Sequence, residues 1–363
     1  MRIIGIGGAG SKIATTWDSN ATIVNVSDVE MGKLASGEKI LASIRDGKGL
    51  VKGSRMDPKL GYRAYNSVQP QLANLCRGAF IFTATGGGTG NGITKGILED
   101  IAKGESGDIK DRTLFGLILP YARLEGEQFV SNTSEFLNDA VAPAIDSGTT
   151  GNIFMFSNRD KYEKRISESG FNQQIIDSLK EFFAIPGKNE RLRLLDEHID
   201  DEDFAYYLAK PYFNHFCYFD YDPEQDFGKQ LSSHYNTLLL PPEQPIEALF
   251  LLEVPQGGDP TIFYNLMEYF NAQGVKPMYS VVENPEVQSP HVTVSLLYSR
   301  KPKELVDDFN KIAEEHVQTK VGKTLDQFVP LQRLEVNIDS EARKAKPEMQ
   351  DDIIAMLKRL NKI

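Results

Sequence analysis

A glycine cluster placed directly after an apolar run is the feature that most restricts the fold of this chain. In 80-FIFTATGGGTGNGITKGILEDIA-102, five glycines fall within seven residues, between a β-branched and aromatic run and an amphipathic helical pattern. Ordering glycine costs more backbone entropy than ordering any other residue, so such a cluster is expected where something approaches the backbone closely. The stretch predicts a buried strand, a tight turn and a helix that packs Ile93, Ile97 and Ile101 on a sheet.

The first half of the chain alternates short apolar runs with helical patterns. Such alternation is typical of a doubly wound α/β domain, in which a mostly parallel sheet carries helices on both faces. We expect this domain to occupy residues 1–168. The runs predicted as its strands are 2–7, 22–27, 78–85, 113–120 and 151–158.

The second half is organised differently. A helical pattern at 172–184 predicts a long central helix, and we assign 169–196 to this helix and a linker. Beyond it, strand patterns around one clear helix predict a smaller α/β domain over 197–302. The charged helical pattern that follows predicts a C-terminal helical extension over 303–363. The strand patterns of the smaller domain are 215–222, 248–255 and 291–299, and its helix is 261–274.

The composition excludes several classes of protein. No apolar run approaches the roughly 20 residues of a membrane span, and the first residues enter a predicted strand rather than a signal peptide. Cys76 and Cys217 lie far apart, which fits a reducing cytoplasm, and the five histidines are scattered, without the spacing of a zinc site. The net charge of -11 opposes a direct, broad nucleic-acid surface. We therefore expect a cytoplasmic protein with no membrane partner.

A second glycine-rich turn, 5-GIGGAGSK-12, follows the first predicted strand. Gly5, Gly7 and Gly10 satisfy the G-x-G-x-x-G pattern, and Asp28 follows the second strand, near where a dinucleotide fold keeps its ribose-binding acid. A nicotinamide-dependent oxidoreductase therefore remains open at this point. A tight strand-to-helix turn without any ligand is the simpler alternative for this loop.

Two such turns together indicate a different ligand. Backbone N–H groups at a helix N-terminus bind phosphate, and glycines let the phosphate reach them. Two turns at the carboxyl ends of nearby parallel strands predict a longer phosphate chain, as in a nucleoside triphosphate. The candidate phosphate-binding residues are Gly7, Gly8, Ala9, Gly10, Ser11, Gly86, Gly87, Gly88, Thr89, Gly90, Asn91 and Gly92.

These motifs resemble those of the tubulin/FtsZ superfamily. GGGTGNG is similar to its signature, GGGTG followed by Ser, Ala or Thr and then Gly, with Asn91 at the place of the small residue. GIGGAGSK resembles the first nucleotide loop of the family. The segment 119-LPYARLEGEQF-129 resembles its P-F-x-x-E-G stretch, which implies that Glu125 holds the ribose. Phe129 stands where bacterial division proteins commonly have Arg.

The resemblance also implies the base and the cation. The segment 153-IFMFSNRDK-161 is similar to a strand end whose Asn meets guanine, which nominates Asn158. Near the start of the central helix the family places an Asn or Asp on the guanine edge, for which Asn172 is the nearest candidate and Gln173 the next. The implied ligands are GTP and GDP with Mg²⁺. Because Mg²⁺ keeps several waters and binds the substrate phosphates, no dedicated protein metal ligands are expected.

An acidic stretch, 198-HIDDEDFAYY-207, completes the resemblance. The family has an N-x-D-x-x-D/E loop that projects onto the nucleotide of the next subunit and polarises the attacking water. Asp200 and Asp203 fit this loop as catalytic residues, with His198 in place of Asn. In a second register Asp203 is the first acid and Tyr206 replaces the second. The simpler alternative is a solvated helix N-terminus, where acids are stabilised by the helix dipole.

The implied function is a GTPase that polymerises head-to-tail, because a heterologous contact that does not close produces an open filament. Assembly would then stimulate hydrolysis; a relative that assembles without hydrolysis is the alternative. The helical extension and its basic residues resemble the plasmid and bacteriophage tubulin homologues of the TubZ and PhuZ types, which position DNA in a prokaryotic host. The tail would then dock the next subunit or a DNA-bound adaptor, or it would pack on its own subunit. An FtsZ-like division filament remains the alternative within the family.

Overall fold

The computed structural model describes residues 1–35, 37–46, 49–51, 53–104, 111–234 and 244–299. The strands in these ranges are β1 (Arg2–Ile6), β2 (Thr22–Asn25), β3 (Lys39–Leu41), β4 (Arg45–Asp46), β5 (Gly49–Leu50), β6 (Ala79–Ala84), β7 (Leu114–Leu119), β8 (Ile153–Ser157), β9 (Arg193–Asp196), β10 (Phe213–Asp220), β11 (Glu247–Val254), β12 (Met278–Glu283) and β13 (His291–Tyr298). The helices are α1 (Gly7–Trp17), α2 (Asp28–Gly32), α3 (Pro58–Leu75), α4 (Thr89–Lys103), α5 (Ala122–Glu125), α6 (Glu127–Phe136), α7 (Ala142–Asp146), α8 (Asn158–Glu163), α9 (Glu168–Phe183), α10 (Ile185–Arg191), α11 (Asp201–Leu208), α12 (Phe227–Ser233) and α13 (Phe263–Ala272). A π-helical turn at Leu137–Val141 and a 3-10 turn at Pro260–Ile262 precede α7 and α13.

Eleven of these strands form one sheet in the order β3-β2-β1-β6-β7-β8-β10-β13-β11-β12-β9. The half from β3 to β8 is parallel throughout. β10 joins β8 through only two residue pairs, Phe213 with Ile153 and Asn214 with Phe154, and the second half of the sheet is mixed. The five predicted strands of the first half and the doubly wound α/β fold are confirmed.

The central parallel strands are predominantly apolar because both faces of the sheet are covered. In β6 the side chains of Phe80 and Phe82 belong to one buried cluster, while Ile81 points into the cluster on the other face. All six residues of β7 are buried as well. Continuous apolar runs of this kind are typical of parallel strands between two helical layers.

The central helix α9 begins at Glu168, four residues before the predicted start, because the Ser167 hydroxyl accepts a hydrogen bond from the Gly170 N–H and caps the helix. Beyond it, β10, β11 and β13 correspond to the strand patterns predicted for the smaller domain, and α13 to its helix. The structure adds β3, β9 and β12, which the sequence patterns did not indicate. The exact domain boundaries remain predictions, and the helical extension lies outside the described residues.

The strand ends of the parallel half of the sheet form two edges. At the carboxyl edge, β1, β6, β7 and β8 lead into α1, α4, α5 and α8. At the amino edge, the Asn152 N–H, one residue before β8, donates to the carbonyl of Leu208 at the end of α11 at 2.7 Å. No helix in the described part of the chain is long and apolar enough to cross a bilayer.

Candidate functional site

A cavity of about 360 Å³ lies at the carboxyl edge of the parallel strands. The loops after β1, β6, β7 and β8 and the first turn of α9 form its walls, so residues more than 150 positions apart in the sequence meet here. The predicted site residues that line it are Gly7, Gly8, Ala9, Gly86, Gly87, Gly88, Thr89, Gly90, Glu125, Asn158 and Asn172.

The N-termini of α1 and α4 both open onto this cavity. Neither is capped by a side chain: Ile6 and Gly88 occupy the two N-cap positions. By contrast, Asp57 caps α3 through the Lys59 N–H. The first-turn N–H groups of an uncapped helix have no partner within the helix, and together with the helix dipole they provide a binding site for an anion.

The glycines of the two turns fall into two groups. A Cβ atom on Gly87 would have no neighbour within 4 Å, and one on Gly8 would meet only a carboxylate oxygen of Glu30 at 3.3 Å. A Cβ on Gly10 or Gly92, however, would lie 2.1 Å from a backbone carbonyl oxygen, that of Phe82 or Pro58 respectively. Gly8 and Gly87 therefore leave room at the cavity, whereas Gly10 lets α1 pack closely on β6 and Gly92 lets α4 pack closely on α3.

Four predicted phosphate-binding residues do not line the cavity. Besides Gly10 and Gly92, these are Ser11, whose buried hydroxyl donates to the Gly5 carbonyl at 3.3 Å, and Asn91. The Asn91 amide donates to the carbonyls of Thr85 at 2.5 Å and Asn132 at 3.0 Å. The Ser11 and Asn91 side chains therefore stabilise the two turns and do not face the cavity.

Glu125 and Asn158 come from different strand ends and contact each other directly. The Asn158 amide donates to both Glu125 carboxylate oxygens at 3.0 Å, and the Tyr121 N–H donates to Glu125 Oε2 at 2.5 Å. Burial, together with the Glu125 carboxylate, raises the pKa of the Tyr162 hydroxyl. The sequence motifs predicted both residues, and the structure brings them together on one wall.

Asn172 is the polar group at the α9 end of the cavity. Its side chain is only 7% exposed, and within the described ranges it has no hydrogen-bond partner. Gln173, the other candidate, is exposed and donates to Asp177 at 2.7 Å. Asn172 lines the cavity, and its amide is not among the fully enclosed side-chain atoms that lack a partner, so the amide is accessible to a polar ligand there.

Several wall residues were not identified from the sequence. Asn132 does not itself line the cavity but bridges two loops by donating to the carbonyls of Met56 at 3.0 Å and Gly86 at 2.8 Å, and the ring of the lining residue Phe129 packs on Gly86. No local pattern marks them, because each acts through contacts distant in sequence. The remaining unpredicted lining residues include Glu30, Ser54, Met56, Lys161, Glu168 and Phe171.

The acidic stretch lies at the opposite edge of the sheet. Asp201 begins α11 and lines a separate cavity with Met1 and Gly78, at the amino ends of β1 and β6. Asp200 caps α11: its Oδ1 accepts from the N–H groups of Glu202 and Asp203 at 2.9 and 2.8 Å. Strands of five or six residues span roughly 17–20 Å, so these acids are far from the glycine turns of their own chain.

Buried neighbours hold this acidic loop in place. Ile199 is fully buried, its N–H donates to the side-chain oxygen of Asn189 at 3.2 Å, and Glu197 turns the chain with a left-handed φ of 44°. Tyr206, the alternative second position of the catalytic pair, is 52% exposed on α11. Both registers therefore place their polar groups on the surface.

A cluster of potential metal ligands lies elsewhere. Within the described ranges, one group of three or more could hold an ion, formed by Glu181, Glu253 and His291, and none of these lines the carboxyl-edge cavity. The Lys188 ammonium lies between the two glutamates, 2.6 Å from Glu253. The Lys188 ammonium therefore already supplies a positive charge at this position.

Asp28, on which the oxidoreductase alternative depends, does not face the cavity. It is exposed at the start of α2, and its Oδ1 accepts from the Val29 N–H at 2.8 Å. The acid that reaches the wall is Glu30, which accepts from the Asn25 amide at 2.9 Å. The G-x-G-x-x-G match thus lacks its expected ribose-binding acid.

No protein-family model and no curated protein sequence matches this chain. Solved structures do match. TubZ of Bacillus thuringiensis serovar israelensis, in a GTPγS-form protofilament, aligns over 89% of this chain and 94% of its own with 14% identity and a TM-score of 0.68. CetZ2 from Haloferax volcanii, in a GTPγS-bound protofilament, aligns over 88% and 99% with 18% identity and a TM-score of 0.64. FtsZ from M. jannaschii aligns over 82% and 88% with 16% identity and a TM-score of 0.59. The chain therefore has the tubulin/FtsZ-type fold that its glycine motifs predicted.

Proposed function

We propose that this protein is a GTP hydrolase that assembles head-to-tail into filaments. One observation carries the proposal: two uncapped helix N-termini and the cavity-facing Asn172 amide share a single cavity. The N-termini suit the phosphate chain and Asn172 suits the base, so the cavity offers complementary groups at both ends of a nucleotide.

The bound nucleotide would extend across the cavity from the glycine turns to α9. Its phosphates would accept hydrogen bonds from the first-turn N–H groups of α1 and α4. By the family resemblance, Glu125 would accept from the ribose hydroxyls, while Asn158 and Asn172 would contact guanine. Mg²⁺, held mainly by phosphates and water, would neutralise phosphate charge. The chain contributes positioning and oriented donors.

Hydrolysis would require a second subunit. Asp200 and Asp203 lie at the amino edge, a strand length away from the glycine turns of their own chain. In a head-to-tail stack the amino edge of one subunit faces the carboxyl edge of the next. The Asp203 carboxylate and the Oδ2 oxygen of Asp200, which is not used in capping, would then orient water at the neighbouring phosphate.

Exposed apolar side chains near the cavity support such a stack. Val29, beside the lining residue Glu30, is 60% exposed, Leu124, beside Glu125, is 64% exposed, and Met56, itself in the wall, is 42% exposed. A second subunit would cover them. The TubZ and CetZ2 neighbours form protofilaments with bound GTPγS, which supports the same mode of assembly for a chain with their fold.

Turnover measured against protein concentration tests this proposal. Phosphate release per subunit should rise steeply above a threshold concentration, in step with light scattering. Asp203→Asn should bind GTP and assemble but release little phosphate, whereas Asp146→Asn, which changes an exposed acid on α7, should behave like the wild type. A concentration-independent rate, or a normal rate for Asp203→Asn, would contradict catalysis shared between subunits.

For the cellular role we propose DNA positioning of the plasmid or phage type rather than division. The TubZ structure has a TM-score of 0.68 against 0.59 for FtsZ, and the basic helical tail predicted for 303–363 suits an adaptor. Filaments of the full chain should therefore co-sediment a DNA-bound protein that filaments of residues 1–347 do not. Equal recovery with both would exclude 348–363 as the docking segment.

A further inference from the structure

The charges around the carboxyl-edge cavity are unevenly distributed. Among the described lining residues there are three carboxylates, Glu30, Glu125 and Glu168, but a single cationic side chain, Lys161. A nucleotide is itself anionic, so the one cation in the wall has a large influence on which ligand fits. Whether Lys161 lies at the phosphate end or the base end of the cavity therefore decides which part of a nucleotide it can contact.

The three carboxylates already have partners. Glu30 accepts from the Asn25 amide at 2.9 Å, and Glu125 accepts from Asn158. Glu168 forms an ion pair with Lys12 at 2.9 Å. Lys161 differs from them: in the described part of the chain its ammonium pairs with no carboxylate and lies 4.6 Å above the Tyr162 ring centroid. Its hydrogen-bonding capacity remains available to a ligand.

Lys161 lies at the base end of the cavity. It follows Asn158 by one turn of α8, and its carbonyl accepts from the Ile166 N–H at 2.9 Å, just before α9 begins. α9 carries Asn172 into the same wall. The glycine turns of α1 and α4, by contrast, belong to β1 and β6, on the far side of β7 from α8.

We propose that Lys161 determines base specificity by donating a hydrogen bond to O6 of guanine, an inference that rests on the proposed nucleotide-binding function. An ammonium has three donors and no acceptor. Guanine presents the O6 acceptor at this position, whereas adenine presents an amino group that also donates. Adenine would leave both donors without a partner and would place no acceptor opposite the charge.

Nucleotide binding to the full chain tests this role. The ligands are GDP, the diphosphate of 2-aminopurine riboside, which lacks O6, and guanosine, which lacks phosphate. Lys161→Met, similar in length but without the charge, should weaken binding of GDP and of guanosine by about 10- to 100-fold, the range for a hydrogen bond to a charged group. It should leave the affinity for the 2-aminopurine nucleotide unchanged. Lys161→Arg should restore part of the loss.

Lys180→Met, which changes an exposed lysine of α9, is the matched control and should bind all three ligands normally. An equal loss for GDP and the 2-aminopurine nucleotide, or a loss for GDP but not for guanosine, would overturn base reading by Lys161. Wild-type affinity in Lys161→Met would overturn it as well, while leaving the GTPase proposal intact. If the wild-type protein binds no guanine compound, the proposed function itself fails.

Discussion

Two alanine substitutions in the same glycine cluster should have different consequences: Gly92→Ala should destabilise the fold, whereas Gly87→Ala should weaken nucleotide binding. A Cβ on Gly92 would lie 2.1 Å from Pro58 O, 2.4 Å from Tyr62 N and 2.6 Å from Gly61 C, all backbone atoms of α3. Because non-bonded atoms are most favourable at about 3.5–4.0 Å, α3 would have to move by roughly 1 Å or more. A Cβ on Gly87 would meet nothing within 4 Å.

The magnitude for Gly92→Ala follows from these contacts. Overpacking costs about 1–3 kcal/mol, and three backbone atoms cannot rotate away, so we take the upper value of about 3. Alanine is favoured over glycine in a helix by about 1 kcal/mol, which leaves a net loss of about 2 kcal/mol. At about 2–4 °C per kcal/mol, the melting temperature should fall by about 4–8 °C.

The assay combines urea unfolding without nucleotide and GDP titration. Gly92→Ala should unfold at lower urea, and Gly87→Ala should remain within about 0.5 kcal/mol of the wild type. Gly87→Ala should instead bind GDP at least about tenfold more weakly, because its methyl group enters the space in which phosphate would approach the backbone. A stable Gly92→Ala variant, or normal GDP binding by Gly87→Ala, would refute this division of the glycines.

Three further predictions concern buried polar groups. Lys188→Met should cost about 3–5 kcal/mol, because it leaves the 1%-exposed Glu253 carboxylate without its cationic partner and with only the Asn284 amide donating to it, and Glu253→Gln in addition should recover much of the loss in urea unfolding. Burial lowers the pKa of His215 to about 3, so the unfolded chain binds a proton below about pH 6.5 that the folded chain does not. The free energy of unfolding should therefore fall by about 2 kcal/mol from pH 8 to pH 5 more in the wild type than in His215→Gln. Asn172→Ala should weaken GDP binding by about 5- to 10-fold with little change in stability.

Each of these has a clear contrary result. A Lys188→Met variant as stable as the wild type would show that the buried Glu253 carboxylate does not need the Lys188 ammonium. Parallel pH profiles for the wild type and His215→Gln would show that His215 is protonated in the folded state. Normal GDP binding by Asn172→Ala would remove the base contact assigned to α9.

Local patterns were sufficient to predict the central strands. The run before Gly86 is mostly apolar because β6 is buried on both faces, and the glycines mark the turn that follows. Pro70 lies inside the 18-residue helix α3, and because proline normally ends a helix, the sequence pattern did not predict this helix. β9 is a short edge strand with two exposed residues, so its sequence carries little apolar signal.

The site was predicted only where a motif is contiguous in sequence. Glu125 and Asn158 were identified separately, but their mutual hydrogen bond depends on the neighbouring positions of β7 and β8. Lys161 and Asn132 were missed because their roles depend on which loops the sheet order brings together. Asp203 lies at the amino edge, opposite the glycine turns, because α11 ends where β8 begins; its catalytic role stays a prediction.

Mixing two inactive variants tests the shared site most directly. Gly87→Ala combined with Asn172→Ala should impair the nucleotide side and keep Asp203, while Asp203→Asn should bind GTP without hydrolysing it. In a 1:1 mixture, about a quarter of head-to-tail contacts join an intact nucleotide side to an intact acidic side. We predict that, at a GTP concentration too low to fill the doubly substituted variant, the mixture releases phosphate faster than either variant does alone. A mixture as inactive as its components would contradict catalysis completed by a neighbouring subunit.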